Sequence, residues 1–225
     1  MDWNSFLTFA RGPFFEVALI VFVAGMVYRL MRVLLLGWPR DRVPSKGSKI
    51  GGVLQAYAKG IIVWPFVPWV KNTFTKRPVI FLAGGLFHLG LIVVILLGTP
   101  HMLVWKSLLG FGWYTLPAPI VDWFAAGSIV AMIALVVYRL LDPVAKMLTG
   151  VPEWMNWLLV FLPMVTGYIM THHLFFRYEV LFSLHMVAVN LLLIWIPFSR
   201  ISHFIFYFFS KTIHGAQFGK RAVTP

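Results

Sequence analysis

The chain has no cysteine and few charges, and each shortage narrows what it can be. Without a thiol it can neither close a disulfide nor hold a cysteine-ligated iron–sulfur cluster, so any such chemistry belongs to a partner. Only 12% of its 225 residues are charged and 60% are hydrophobic, whereas roughly a quarter of a soluble domain is charged. Acidic residues are the scarcest: 7 Asp and Glu stand against 19 Lys and Arg, for a net charge of +12. Such a balance suits a nucleic-acid partner only as a basic face on a soluble fold; here the cations fall in loops between apolar runs, so nucleic acid is set aside. The N-terminus lacks a basic start and a small-residue cleavage site, with Asp2 and Glu16 on either side of Arg11. Its first apolar run therefore reads as a retained span, not a removable signal.

What is present is length of apolar helix. About 20 apolar residues cross about 30 Å of hydrocarbon, and only helices or closed barrels satisfy their own backbone there. Five stretches qualify: Phe14 to Leu36, Val79 to Leu97, Ile120 to Leu140, Trp154 to Met170, and Val180 to about Phe209, the last long enough to protrude. A sixth, Gly51 to Val70, carries Lys59 in its middle and Pro65 and Pro68 in its second half. A central lysine is costly to insert, so this piece reads as an amphipathic segment at the membrane surface with Trp64 and Trp69 at headgroup depth. The reading is an all-α membrane protein of five spans: one transmembrane domain over residues 1–225, with a basic cytoplasmic loop over 38–77 that contains the interfacial segment.

Orientation follows from the cations. In the five-span arrangement one side collects Arg29, Arg32, Arg40, Arg42, Lys46, Lys49, Lys59, Lys71, Lys76, Arg77, Arg139, Lys146, Arg200, Lys211, Lys220 and Arg221, and the other keeps Arg11, Lys106 and Arg177, a split of 16 to 3. The N-terminus is expected outside and the C-terminus in the cytoplasm of a cell inner membrane. Trp105, Trp113, Trp123, Trp154 and Trp157 near span ends read as interfacial anchors.

Histidine is the chemistry-bearing residue. His88, His185 and His203 fall on predicted helices, His101, His172 and His173 at the outer ends of the second and fourth, and His214 in the tail. A strongly polar residue inside a span is expected to face the bundle interior and to have a task, although interhelical hydrogen bonding is a plainer one. On an uninterrupted fifth helix, His185 and His203, 18 residues apart, would share a face about 27 Å apart. That places two ligands near opposite surfaces, and a helical core can clamp two haems in this way. His88 offers a partner at one level. Opposite His185, the candidates are His101, re-aimed by unwinding at Gly98 or Pro100, and the His172–His173 pair, with His101 slightly favoured.

At Leu86-Phe87-His88-Leu89-Gly90, at Leu184-His185, and at Ile196-Pro197-Phe198-Ser199-Arg200-Ile201-Ser202-His203, the chain resembles the cytochrome b gamma subunit of respiratory nitrate reductase. It resembles equally the relatives of that subunit in heterodisulfide reductase and in the transmembrane redox complexes of sulfate reducers, the latter fitting its long basic segment and short tail better. The Pro-Phe-Ser-Arg run before a histidine is the most specific part, and the likeness covers nearly the whole chain in layout. It implies a dihaem cytochrome b that passes electrons between a quinone, menaquinone among them, or an extracytoplasmic donor and a cytoplasmic iron–sulfur subunit, beside other membrane subunits and a cytochrome c. In that pattern His88 and His203 ligate the cytoplasmic-side haem and His185 one side of the outer haem. The family's second ligand on the second span falls here close to Gly98, which cannot ligate. Either His101 or the His172–His173 pair takes its place, or one haem is absent.

Other polar groups carry less. Arg200 and the Lys76–Arg77 pair could balance haem propionates, or serve only as positive flanks. Asp122 and Glu179 border outer span ends, where a quinone proton acceptor or a solvated acid would both sit. No catalytic triad, paired carboxylates or phosphate loop is present, and no inverted pair of broken helices suggests a transporter. A haem-free membrane anchor or a small transporter-like subunit is the rival reading, and both would be colourless.

Overall fold

In the computed structural model residues 2–36, 44–63, 67 and 72–223 are described. Trp64, Trp69, Pro65 and Pro68 of the surface segment, and the loop cations Arg40, Arg42 and Lys71, lie outside the described residues. Among the described residues the chain is all helical, with α1 Trp3–Arg11, α2 Pro13–Leu35, α3 Lys49–Tyr57, α4 Asn72–Lys76, α5 Pro78–Ile92 and α6 Thr99–Leu109 in its first half. The second half holds α7 Ala118–Leu141, α8 Pro143–Met147, α9 Val151–Thr171, α10 Tyr178–Trp195 and α11 His203–Lys220. Five helical stretches are long and apolar enough to cross a membrane: Trp3–Leu35, Pro78–Leu97, Ala118–Leu141, Val151–Thr171 and Tyr178–Phe198. The first is interrupted at Gly12-Pro13, where proline has no amide to donate, and α2 alone, at 23 residues, suffices to span.

Large apolar side chains are widely exposed. The largest side chains with no more than a trace of exposure are Asn190, Ser128, Ser183 and Ser202, all polar, whereas Ile20 and Val130 are 66% and 65% exposed. In water an apolar exterior of this extent would be a liability; around helices of this length it is the lipid-facing surface of a multi-pass membrane protein. The buried hydroxyls bond back into their own helices, Ser128 to the Phe124 carbonyl at 2.8 Å and Ser183 to the Glu179 carbonyl at 2.6 Å, so none is left unpaired in an apolar surround.

The described chain forms two compact units: Met1–Leu19 with Arg77–Leu193, and Ile20–Lys76 with Ile194–Pro225. In the first, α5 packs along α7, and α9 also packs on α7. Small residues set the approach. A Cβ on Gly90 would collide with the Ser128 hydroxyl and lie 2.6 Å from the Phe124 carbonyl, while Gly84, a turn and a half earlier, has open space. In the second unit α3 packs along α11, again through glycine: Gly52 abuts the Gly215 carbonyl, and a Cβ on Gly215 would sit 2.7 Å from the Val53 Cα. Lys46 and Gly47 amides bond the Lys220 carbonyl at 2.8 and 3.1 Å. The described part of the segment read as a surface piece is thus paired, by close backbone approach of the kind small residues permit, with the C-terminal helix.

One expectation is overturned. The fifth helix does not run from Val180 to Phe209; α10 ends at Trp195, single 3-10 turns follow at Ile196–Phe198 and Arg200–Ser202, and α11 starts at His203. Pro197 cannot continue the ladder, and Ser199 is extended, at φ −123° and ψ 175°. The uninterrupted face that would have carried both His185 and His203 therefore does not exist.

Replacing Gly90 by alanine is expected to lower stability by about 1–3 kcal/mol through overpacking, read as a drop in thermal midpoint in detergent. Gly84→Ala should leave the midpoint unchanged or raise it, since helix propensity alone changes there; equal losses from both would contradict the α5–α7 packing described.

Candidate functional site

The chemistry collects at helix breaks. Residues Val93–Leu97 form a π-helical turn, Gly98 is extended, at φ −78° and ψ 128°, and α6 begins at Thr99 with Pro100 in its first turn. A helix that stops in an apolar medium must find partners for its last carbonyls. Here the Gly98 amide takes the Val94 carbonyl at 3.2 Å and the Leu116 amide takes that of Leu97 at 2.9 Å. The indoles of Trp105 and Trp113 donate to Ile95 and Leu96 at 3.2 and 2.6 Å. Two tryptophans expected to be plain interfacial anchors are thus caps of the second span, while the Trp157 indole donates across helices to the Met132 carbonyl within α7 at 3.1 Å.

This break turns His101 toward His185. Their ring centroids are 6.3 Å apart with an interplanar angle of 66°. His185, on α10, is buried, and its Nδ1 lies 3.2 Å from the Thr166 hydroxyl. Thr166 donates its proton to the Leu162 carbonyl at 2.7 Å, so toward His185 it accepts, which puts the imidazole proton on Nδ1 and the lone pair on Nε2. Gly167 lies beneath the ring; a Cβ there would be 3.0 Å from Cε1 and 3.3 Å from Nδ1. Burial holds the His101 imidazole below its ordinary pKa, opposed by a hydrogen bond to the Val94 carbonyl.

A shared metal would suit this spacing. With metal–nitrogen bonds of about 2.0 Å and ring centres about 1.2 Å behind each nitrogen, two imidazoles on opposite sides of one ion have centroids about 6.4 Å apart. The donors, two imidazoles with an oriented Nδ1 on one of them, are of the kind that would hold a haem iron. No cluster of three or more His, Asp or Glu able to hold a metal ion exists among the described residues, so protein ligands alone do not complete a metal site there.

The remaining histidines are placed as follows. His88, on α5 in the first unit, is exposed, and its Nδ1 bonds the Gly84 carbonyl at 2.7 Å. His203, the first residue of α11 in the second unit, is exposed too, its Nδ1 3.0 Å from the Arg200 carbonyl. Each has the proton of its neutral tautomer directed to the backbone, the orientation common to metal-ligating histidines. His172 instead stacks on Tyr168, with centroids 4.4 Å apart, and has its Nε2 3.9 Å from the Asp122 carboxylate. His173 packs on Tyr178 in a left-handed backbone conformation, at φ 51°. Thus the structure brings His101 to His185, and it pairs the fourth span's histidines with other groups.

Two features escape a reading by residue type alone: Gly167 beneath His185, and Arg29 in α2. The Nη1 of Arg29 lies 3.0 Å from the Pro197 carbonyl, 2.8 Å from that of Ser199 and 2.6 Å from the Ser202 hydroxyl. The sequence marked it only as a flanking cation.

The chain is similar to a protein of Nitratidesulfovibrio vulgaris (strain Hildenborough) described by no more than the word "Protein": 27% of 204 aligned residues are identical, covering 90% of this chain and 89% of the relative. No family model matches the chain, and no solved structure does.

The His101–His185 juxtaposition can be checked without any cofactor, because the chain has no native thiol. A His101→Cys/His185→Cys double variant is expected to be bridged by a short bifunctional maleimide, with the bridge mapped by mass spectrometry, whereas His172→Cys/His185→Cys is not. Bridging of the second pair in preference to the first would refute the placement.

Proposed function

We propose that this chain is the haem b-binding membrane subunit of a respiratory redox complex, carrying electrons between a quinone or an extracytoplasmic donor and a cytoplasmic iron–sulfur partner. The observation that carries the reading is a pair of imidazoles, from helices far apart in sequence, held 6.3 Å apart, one buried on the fifth span and the other just past the end of the second. Such a pair could serve as interhelical glue, but each ring already has a separate polar partner, Thr166 for His185 and Val94 for His101. The pair does not need itself for hydrogen-bond satisfaction.

Haem b, when bound, supplies a one-electron carrier whose potential is tuned by axial ligands and burial. His101 and His185 hold the outer group. Thr166 fixes the tautomer of His185, and Gly167 leaves the ring room. The first-turn position of His101 after the Gly98 break depends on the capped π-turn before it. His88 and His203 are the proposed ligands of a second, cytoplasmic-side haem, each oriented by a backbone carbonyl. The N-terminus lies outside and the basic loops lie in the cytoplasm, where Lys76, Arg77 and Arg200 balance propionates or meet the acidic edge of an iron–sulfur subunit. Menaquinone is the proposed lipid-soluble donor or acceptor, and the host membrane is the cell inner membrane.

A reduced-minus-oxidised spectrum of the complex purified with this chain should show b-type bands. His101→Ala and His185→Ala should each remove the same haem, about half of the total, while His88→Ala and His203→Ala remove the other. A colourless wild-type preparation, or an unchanged spectrum in His185→Ala, would refute the proposal.

A further inference from the structure

The second helix break is held by a charge from another span. Where the chain turns through Ile196–Phe198 and Arg200–Ser202, the Pro197 and Ser199 carbonyls both accept from Arg29, as does the Ser202 hydroxyl. Ser202 in turn donates to the Ser199 carbonyl at 2.9 Å, and the Ser199 hydroxyl accepts from the Ile201 amide at 3.2 Å. The guanidinium carbon lies 5.1 Å from the centre of the Phe206 ring, one turn into α11. One turn before Arg29 on α2, Gly25 lies against Pro197; a Cβ there would be 2.5 Å from the Pro197 Cβ.

An arginine near the end of a span ordinarily snorkels, stretching its head toward water. This one turns its head onto freed backbone carbonyls, and the reason is physical. A proline break in an apolar medium exposes acceptors that no water reaches, and a guanidinium in the same medium lacks acceptors for its N–H groups. Each compensates the other. The carbonyl that orients His203, that of Arg200, lies between Ser199 and Ser202, two of the three residues that Arg29 grips.

We propose that Arg29 is the positioning residue of His203: by capping the break after α10 it fixes where α11 begins and how its first side chain is presented. The functional meaning of this rests on the reading of His203 as a haem ligand, but the positional claim can be measured apart from it. The test is amide hydrogen exchange of the full chain in lipid nanodiscs, with haem content and midpoint potential measured on the same preparations. Arg29→Met should speed exchange of the amides from Ile201 to Tyr207 by about tenfold or more, the equivalent of one lost charge-assisted hydrogen bond, and leave Leu181 to Asn190 unchanged. Arg29→Lys, which keeps the charge and three donors, should lie within about threefold of wild type, a loss smaller than one charged hydrogen bond. In haem-loaded protein Arg29→Met should lose, or shift in potential, the same haem that His203→Ala removes. Wild-type exchange in Arg29→Met overturns the proposal, as does altered exchange with haem content and potential untouched. Should Arg29→Met fail to insert, Ser202→Ala is read instead, with about threefold to tenfold faster exchange expected and no change overturning the claim. A wild-type chain without haem defeats the proposed function alone, and the exchange result then decides the positional claim by itself.

Discussion

In an apolar surround a helix may stop only where something else takes up its last carbonyls, and much of this chain's organisation follows from that constraint. The second span stops at Gly98, and its carbonyls go to two indoles and two backbone amides. The fifth stops before Pro197, and the Pro197 and Ser199 carbonyls of the turns that follow go to a guanidinium. A histidine follows each break: His101 in the first turn of α6, His203 at the start of α11. A break lets a side chain leave the direction its helix would have imposed, so the caps that make a break tolerable also determine where the histidine after it can be.

Close packing of the helices relies on the absence of side chains as much as on their presence. Gly90 admits α7, Gly167 admits the His185 ring, and Gly52 with Gly215 lets α3 lie on α11. In lipid, burial of apolar surface gives little preference for one helix partner over another, since acyl chains are as apolar as leucine, so close van der Waals contact and interhelical hydrogen bonds decide. Asn190 shows the second kind: wholly buried, it donates to the Ala10 carbonyl at 2.9 Å, one of the acceptors released where α1 gives way to Pro13.

The spans were legible because hydropathy and length are local properties. The expected Val79 to Leu97 and Ile120 to Leu140 differ from the helical stretches Pro78–Leu97 and Ala118–Leu141 by two residues or fewer at each end. The break at Pro197 was not legible for the complementary reason. The residues around it, Trp195, Ile196 and Phe198, are as apolar as the helix before them, so a hydropathy reading runs on, and the partner that makes the break stable lies 168 positions away in sequence. The unwinding at Gly98 could be read from Gly98 and Pro100, but the capping indoles could not, because a tryptophan at a span end has the same composition whether it anchors in headgroups or donates to a carbonyl. Among the candidate histidines, unwinding at Gly98 or Pro100 favoured His101 only slightly over the His172–His173 pair; Asp122 and Tyr168, which lie against His172, come from positions that no spacing rule connects to it.

Arg29 and the Pro197 break are each unfavourable alone. Insertion scales put an arginine at a helix centre at about 2.5–3.5 kcal/mol, and an unpaired buried carbonyl costs about 1–3 kcal/mol. Two freed carbonyls and one buried hydroxyl share the two hydrogens of a single Nη1, which offsets these separate penalties by about two charge-assisted hydrogen bonds of about 1.5–3 kcal/mol each. The same arithmetic explains why a neutral residue at position 29 would not simply remove an insertion cost: it would take the guanidinium from the Pro197 carbonyl and leave that of Ser199 with the Ser202 hydroxyl alone, and the chain could recover the loss only by re-forming turns and moving the start of α11. Position 29 therefore acts on residue 203 through the backbone between Pro197 and Ser202, a path that contains no titratable group except Arg200.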